Sequence, residues 1–315
     1  MVSLKALRGR IRSIKATQKI TKSMQLISAS RLNQMKNKID AALPYFEKIR
    51  EVVGKVLAGT NTKFSEYPWA YNLRLLDGGS ASNLLFDGAL IVLLTADRGL
   101  CGQFNSYLIR VAKQEIATLD KNVTLLCIGK RGYDAFKNYK GINVIPYTIN
   151  VPSIKTLNFA TACECVSHPI FDIIAAQNFS TCKLIYTQFI SALKYFPTTL
   201  QLAPITDDIM AFHSRIEAHP LPIKESLPTI EHSYEPEAEV LFASLVKHYW
   251  FIVIYHALLN NMLSEHASRT FAMDNATRNS NEILRDVTIE YNRTRQASIT
   301  RELIEIISGT EVLKE

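Results

Sequence analysis

From Glu237 to Ser308 the chain contains neither glycine nor proline. These are the two residues that break helices most strongly, so the stretch predicts a single helix on the order of 100 Å long. Gly309 then stands where a glycine would stop it. A helix of this length needs tertiary support. Its apolar seam starts at Leu241, Leu245, Ile252, Tyr255, Leu259 and Met262. The seam thins to small, polar and charged residues between Ser264 and Glu282, then resumes at Ile283, Val287, Tyr291, Ile299, Leu303 and Ile306.

The only segment of comparable length is at the other end. Residues 3 to 58 read as one helix of roughly 80 Å, with apolar residues at Leu4, Leu7, Ile11, Ile14, Ile20, Met24 and Ile27, then Met35, Ile39, Ala42, Phe46, Ile49, Val53 and Val56. Alternating steps of three and four mark a coiled-coil seam. In this reading the seam slips between Ile14 and Ile20 and is broken by Arg31, and Pro44 is placed to kink the helix. The two long helices are expected to wind antiparallel, with the C-terminal one projecting beyond its mate.

Between them the rhythm changes. Short apolar runs at 89–95, 123–129 and 143–145 read as strands, and 183–189 with 198–202 as a hairpin. Helices fit at 106–119, 132–139 and 156–178. Such alternation predicts an α/β domain with a mainly parallel sheet. The fold class is therefore α/β, with a long antiparallel α-helical coiled coil formed by the N- and C-terminal helices around an inserted Rossmann-like α/β domain. The partition is 1–58 helix, 59–87 loop or insertion, 88–205 α/β domain, 206–236 linker and 237–315 helix. The first loop region is rich in Asn, Ser, Tyr and Gly, and the linker holds several prolines.

The net charge is +7, and it is unevenly placed. No acidic residue occurs from Met1 to Ile39, whereas Lys5, Arg8, Arg10, Arg12, Lys15, Lys19, Lys22, Arg31, Lys36 and Lys38 are basic. Such a segment suits a mitochondrial targeting peptide, a nucleic-acid surface or a helix facing an acidic protein. No apolar run is long enough to span a bilayer. The five cysteines read as reduced and mostly buried. Cys163 and Cys165 with His168 fit no standard tetrahedral zinc spacing. The histidines, including His248, His256 and His266, read as packing or surface residues. There is no Gly-x-x-x-x-Gly-Lys-Ser/Thr loop. Asp97-Arg98-Gly99-Leu100-Cys101-Gly102 lies between a strand and a helix, where an anion cradle is possible, but an acidic residue stands where phosphate would approach. A structural turn is the better reading.

Three ordered segments carry a resemblance. Ile14 to Met24, Asp97 to Asn105, and Tyr291 to Gly309 resemble the N-terminal, central and C-terminal motifs of the γ subunit of F-type ATP synthase. Ser28 to Leu32 continues the first with some drift. About half the chain is recognisably similar. The loop at 59–88 is longer than the family pattern and reads as a lineage-specific insertion. Nothing resembles the redox-regulated cysteine insertion of chloroplast γ subunits. The first motif lies inside the basic segment and would be lost with a cleaved leader, so the sequence is read as starting near the mature N-terminus.

The resemblance implies a non-catalytic rotor shaft with no cofactor. Its partners would be the α3β3 ring of F1 α and β subunits, the small δ and ε stalk subunits and the membrane c-ring, with neither nucleic acid nor a direct membrane span. It implies a place on the matrix side of the mitochondrial inner membrane, with a bacterial plasma membrane as the alternative. Rotor–stator contacts carried over from the family fall on Lys19, Lys22 and Met24, facing an acidic segment of β, and on Arg293, Arg295, Gln296 and Thr300, facing a β loop. Arginine offers a planar, permanently charged fork suited to carboxylates. Two other classes are weighed beside this one. A basic coiled-coil nucleic-acid binder would show salt-dependent retention on DNA. A nucleotide-dependent enzyme would show saturable nucleotide binding in residues 88–205.

Overall fold

The computed structural model describes residues 3–59, 88–119, 122–146, 149–176, 179–192, 194–203 and 238–312. The expected loop at 59–87, apart from Gly59, and the whole of the expected linker at 206–236 lie outside these. The elements are α1 (Leu4–Gly59), β1 (Ala89–Leu94), α2 (Phe104–Thr118), β2 (Val123–Ile128), α3 (Lys130–Phe136), β3 (Asn143–Ile145), α4 (Phe159–Ala162), α5 (His168–Ala176), β4 (Thr181–Phe189), β5 (Tyr195–Ala203) and α6 (Ala238–Val312). The contacts divide the chain into two units, one of residues 1–29 with 269–315 and one of residues 30–268. The division cuts through both long helices.

The first unit is an antiparallel helix pair. Thr21 meets Thr277, Gln18 meets Asn281 and Arg8 meets Tyr291. As the number falls on α1 it rises on α6, which is the mark of antiparallel register. The N-terminus of α1 is capped by Ser3, whose Oγ accepts the Ala6 N–H at 3.2 Å. The residues that face inward on α1 are Leu4, Leu7, Ile11, Ile14, Gln18, Thr21, Met24, Gln25 and Ser28. Without Met24 these run in unbroken steps of three and four. The seam therefore does not slip after Ile14; it turns polar while keeping its phase. Ile20 and Ile27, expected inside, are 60% and 54% exposed. On α6 the inward row is Met273, Thr277, Ser280, Leu284, Val287, Tyr291, Thr294 and Ser298. Of the expected seam Val287 and Tyr291 lie in it, whereas Ile283, Ile299, Leu303 and Ile306 are exposed. Ile283 lies within the paired stretch but off the phase of the inward row. For the other three the reason is length: beyond Ser298 α6 has no stretch of α1 opposite it. Nor does Gly309 end the helix, which runs on to Val312; a glycine inside a helix costs only about 1 kcal/mol.

The second unit holds a five-stranded sheet of order β3-β2-β1-β4-β5. β1 pairs parallel with β2 and β4, β2 parallel with β3, and β4 antiparallel with β5. Strands β1 and β2 are buried along their whole length because both faces are covered. Leu90, Val92 and Leu94 point to the face that holds Met35, Phe46 and Val53 of α1 and Trp250, Ile254 and Leu258 of α6. Ile91 and Leu93 point to the other, among Phe104, Leu108 and Ala112 of α2 and Phe136 of α3. Through this unit α1 keeps the same phase at Leu32, Met35, Ile39, Ala42, Phe46, Ile49 and Val53. Arg31 is exposed and breaks nothing. The helix also continues through Pro44, which faces outward.

The helix expected at 156–178 is divided. Asn158 caps α4 in a reciprocal box with Thr161. A π-helical turn at Cys163–Ser167 follows before α5. Pro169 has no N–H to give the Cys165 carbonyl, and the wider π turn absorbs that interruption. Gly129, at φ +116°, ends β2 where a Cβ would lie 2.1 Å from the Thr95 carbonyl oxygen, so only glycine fits there.

Candidate functional site: the helical coil and its free end

The inward polar residues of the coil bond to one another across it. Gln18 Nε2 donates to Asn281 Oδ1 at 2.5 Å, Thr277 Oγ1 to Thr21 Oγ1 at 2.8 Å, and Gln25 Nε2 to Asp274 Oδ1 at 2.8 Å. Asp274 also pairs with Arg278 at 2.5 Å. Gln18, Thr21 and Gln25 are at least partly shielded from water, where polar groups cost free energy unless partnered. Partnered, they fix register, as a polar seam residue does in a coiled coil. Towards the start of α1, Arg8 donates to the Tyr291 hydroxyl at 3.1 Å and lies 6.0 Å from its ring centroid. That hydrogen bond holds the Tyr291 phenol below its usual range, and Arg295 adds to the effect.

All seven residues picked out from the sequence lie in this unit, but not together. Lys19, Lys22 and Met24 are level with residues 274–280 of α6, with both lysines exposed and Met24 half-buried. Lys22 Nζ donates to Gln25 at 3.2 Å. Arg293, Arg295, Gln296 and Thr300 are exposed about 25 Å further along α6. Thr300 turns its hydroxyl back on the Gln296 carbonyl at 3.0 Å, so it serves its own helix first. The coil therefore presents two separate bands rather than one patch. Sequence reading missed Gln18, Thr21 and Gln25, although their spacing carried the signal: the three–four phase passes through them once polar residues are counted.

From Ile299 to Ser308 every side chain of α6 is exposed. Five of them are large and apolar: Ile299, Leu303, Ile304, Ile306 and Ile307, at 49% to 64% exposure. Apolar surface of this extent on a single helix marks an interaction surface. The basic residues Lys5, Arg8, Arg10, Arg12, Lys15, Lys19 and Lys22 are exposed as well. Among the described residues no helix is long and apolar enough to cross a membrane.

The sequence as a whole matches the family model described as ATP synthase over residues 3–313. It is 38% identical over 316 residues to the ATP synthase gamma chain of Beijerinckia indica subsp. indica, covering 99% of this chain and 100% of that one. The chain belongs to the ATP synthase gamma chain family. Gamma chains of Methylobacterium nodulans and Rhodospirillum rubrum are 39% and 38% identical, again over 99% of this chain and 100% of theirs. The fold is also like that of the rotor of Euglena gracilis mitochondrial ATP synthase, with TM-score 0.61 and 17% identity over 94% of this chain and 98% of that one. A chain of the central stalk and c-ring of the Tetrahymena thermophila mitochondrial enzyme gives TM-score 0.51 and 23% identity over 82% and 99%.

In this gamma chain the α/β unit has its own internal chemistry. The Asp97–Gly102 turn is held by its neighbours: Asp97 Oδ1 accepts the Lys130 N–H at 3.0 Å, and Asn105 Oδ1 accepts that of Ala96 at 3.0 Å. The aspartate thus caps α3. Cys101, Cys127, Cys163 and Cys182 are buried and Cys165 is exposed, and all five are thiols. Burial pushes the Cys127 thiol up to about 12, which keeps it protonated and inert.

A cavity of about 320 Å³ lies among α1, α4 and α6, lined in part by Lys38, Tyr45, Phe46, Phe159, Tyr255 and His256. His256 stacks on Phe46 with ring centroids 4.7 Å apart and lies within 3.2 Å of Asn260. Burial lowers its pKa from 6.5 to about 4. Above pH 6.5 the ring is neutral in both folded and unfolded chains and adds no pH dependence. Between pH 6.5 and 4 the unfolded chain takes up a proton that the folded chain refuses, so stability falls with falling pH. The loss reaches about 3 kcal/mol near pH 4. His256→Leu is expected to lose this component. Acid unfolding followed by the fluorescence of buried Trp250 should then be shallower across that interval than in the natural chain, and identical profiles would show that His256 ionises freely when folded.

Proposed function

We propose that this chain is the central rotor shaft of an F1Fo ATP synthase. It couples proton-driven rotation of the c-ring to conformational cycling of the catalytic β subunits. One observation carries the reading: α6 outruns its partner helix and offers a bare apolar end, on a chain that matches gamma chains from end to end. Such an end suits insertion into an apolar sleeve, here the α3β3 ring. The two helical segments at 1–58 and 237–315 are the shaft, and residues 88–205 are the foot that meets the c-ring beside the small stalk subunits. The shaft is asymmetric, so each orientation favours a different set of β conformations, a population shift driven by differential contact energy. The chain itself makes and breaks no covalent bond.

Lys19, Lys22 and Met24 form the lower rotor–stator band, and Arg293, Arg295, Gln296 and Thr300 the upper one. The acid-free face of α1 is spent on acidic β surface rather than on nucleic acid. The compartment we propose is the matrix face of the mitochondrial inner membrane, the place that the family resemblance of the three motifs implies. The bacterial origin of the similar gamma chains favours a plasma membrane instead, and fractionation of the source cells decides between them. The test of function is mass analysis of the purified native complex. One copy of this chain is expected with three copies each of two larger nucleotide-binding chains. Recovery without such chains, or retention on DNA lost only at high salt, would overturn the assignment.

A further inference from the structure

In open parallel sheets, ligands bind outside the carboxyl ends of the strands, where the strand order reverses. Here the order reverses between β1 and β4, and α6 occupies that place. Asn261 Oδ1 accepts the Thr187 N–H at 3.1 Å, and Asn260 Oδ1 accepts that of Phe189 at 3.4 Å. Ser264 Oγ donates to the Thr187 carbonyl at 3.4 Å. Ser268 Oγ donates to the Cys101 carbonyl at 2.6 Å and accepts from the Tyr195 hydroxyl at 2.9 Å. All four side chains are buried. Positions 260, 264 and 268 form one row along a helix face, beside Asn261. The row meets the last residues of β4, the loop after β1 and the first residue of β5.

Apolar contact between α6 and the sheet is non-directional. Hydrogen bonds weaken steeply when their geometry is disturbed, so a row of them resists shear. Turning force between a foot and a shaft is a shear load on their junction. We propose that Asn260, Asn261, Ser264 and Ser268 form the joint through which torque passes between the sheet and α6. The proposal rests on the rotor reading above. It also explains why this sheet, shaped like a nucleotide-binding one, has no room at its switch point for a nucleotide: the helix that must be driven fills it.

The test uses the full complex in sealed vesicles, carrying Asn261→Leu with Ser268→Ala. Leu200→Ala is the control, a core truncation on β5 away from the row. ATP-driven proton uptake per ATP hydrolysed is the decisive ratio. For the paired variant it is expected to fall fivefold or more, because three hydrogen bonds are removed and the loss of one alone corresponds to about a fivefold factor, while hydrolysis by detached F1 stays unchanged. The control is expected to lower thermal stability without changing the ratio. A natural ratio in the paired variant, or an equal fall in the control, would overturn the joint. Should the pair fail to assemble, Ser268→Ala alone takes its place, with a smaller fall in the ratio expected and an unchanged ratio overturning the proposal. Failure of the unaltered chain to assemble with nucleotide-binding chains would instead sink the rotor reading.

Discussion

Replacing Arg295 and Gln296 together by alanine is expected to leave the ATP synthase assembled and to lower its ATP hydrolysis severalfold or more. Both side chains are exposed on α6, so neither supports the coil, and alanine has the highest helix propensity. What is lost is their set of outward-facing donors, just before the bare apolar end. If they grip a β loop in one rotary state, charge-assisted hydrogen bonds of about 1.5–3 kcal/mol each are made and broken in every turn. Nucleotide affinity of isolated β should not change. Steady-state hydrolysis by the purified variant complex is the measurement, and turnover at the natural rate would reduce both residues to a solvated helix face.

The second large effect concerns the coil itself. Val287 is 4% exposed and lies level with Ile11. Val287→Asp puts a charge into that seam without a partner, at a cost of about 3 kcal/mol or more. Ile299→Asp is the informative companion. Ile299 is 49% exposed and faces no helix among the described residues, so the free chain should lose only about 0.5 kcal/mol. Its effect should emerge on assembly, where the proposed sleeve closes round it. Thermal unfolding by far-ultraviolet circular dichroism separates the two. Equal losses in the free chain would show that α6 does not end its pairing near Ser298.

The two helices, the strands and the insertion of a sheet between the helices were legible in the sequence for simple reasons. A long interval without Gly or Pro leaves a helix nothing to stop it. The continuous apolar runs of β1 and β2 can only be satisfied by cover on both faces. Both signals are local. The errors in the two seams share one cause. Ile20 and Ile27 are apolar and read as inside; Gln18 and Gln25 are polar and do not. A seam read from hydrophobicity alone follows chemistry, while the real seam follows the steps of three and four that helix geometry imposes on whatever residue occupies them. The same holds for Ile299, Leu303 and Ile306, which have the right chemistry at a height where the other helix has already ended.

By itself the sequence determined the class of the fold, the length of the shaft helices and the family. It also placed the two exposed bands of basic and polar residues on particular helices. The tertiary structure decided which residues pair. Gln18 with Asn281, Gln25 with Asp274, and Asn261 with the end of β4 became legible only once both partners were in place. Propensity and periodicity depend on neighbours along the chain, whereas the partner of a polar group in a seam or joint is set by what lies opposite it, far away in sequence and about 3 Å away in space.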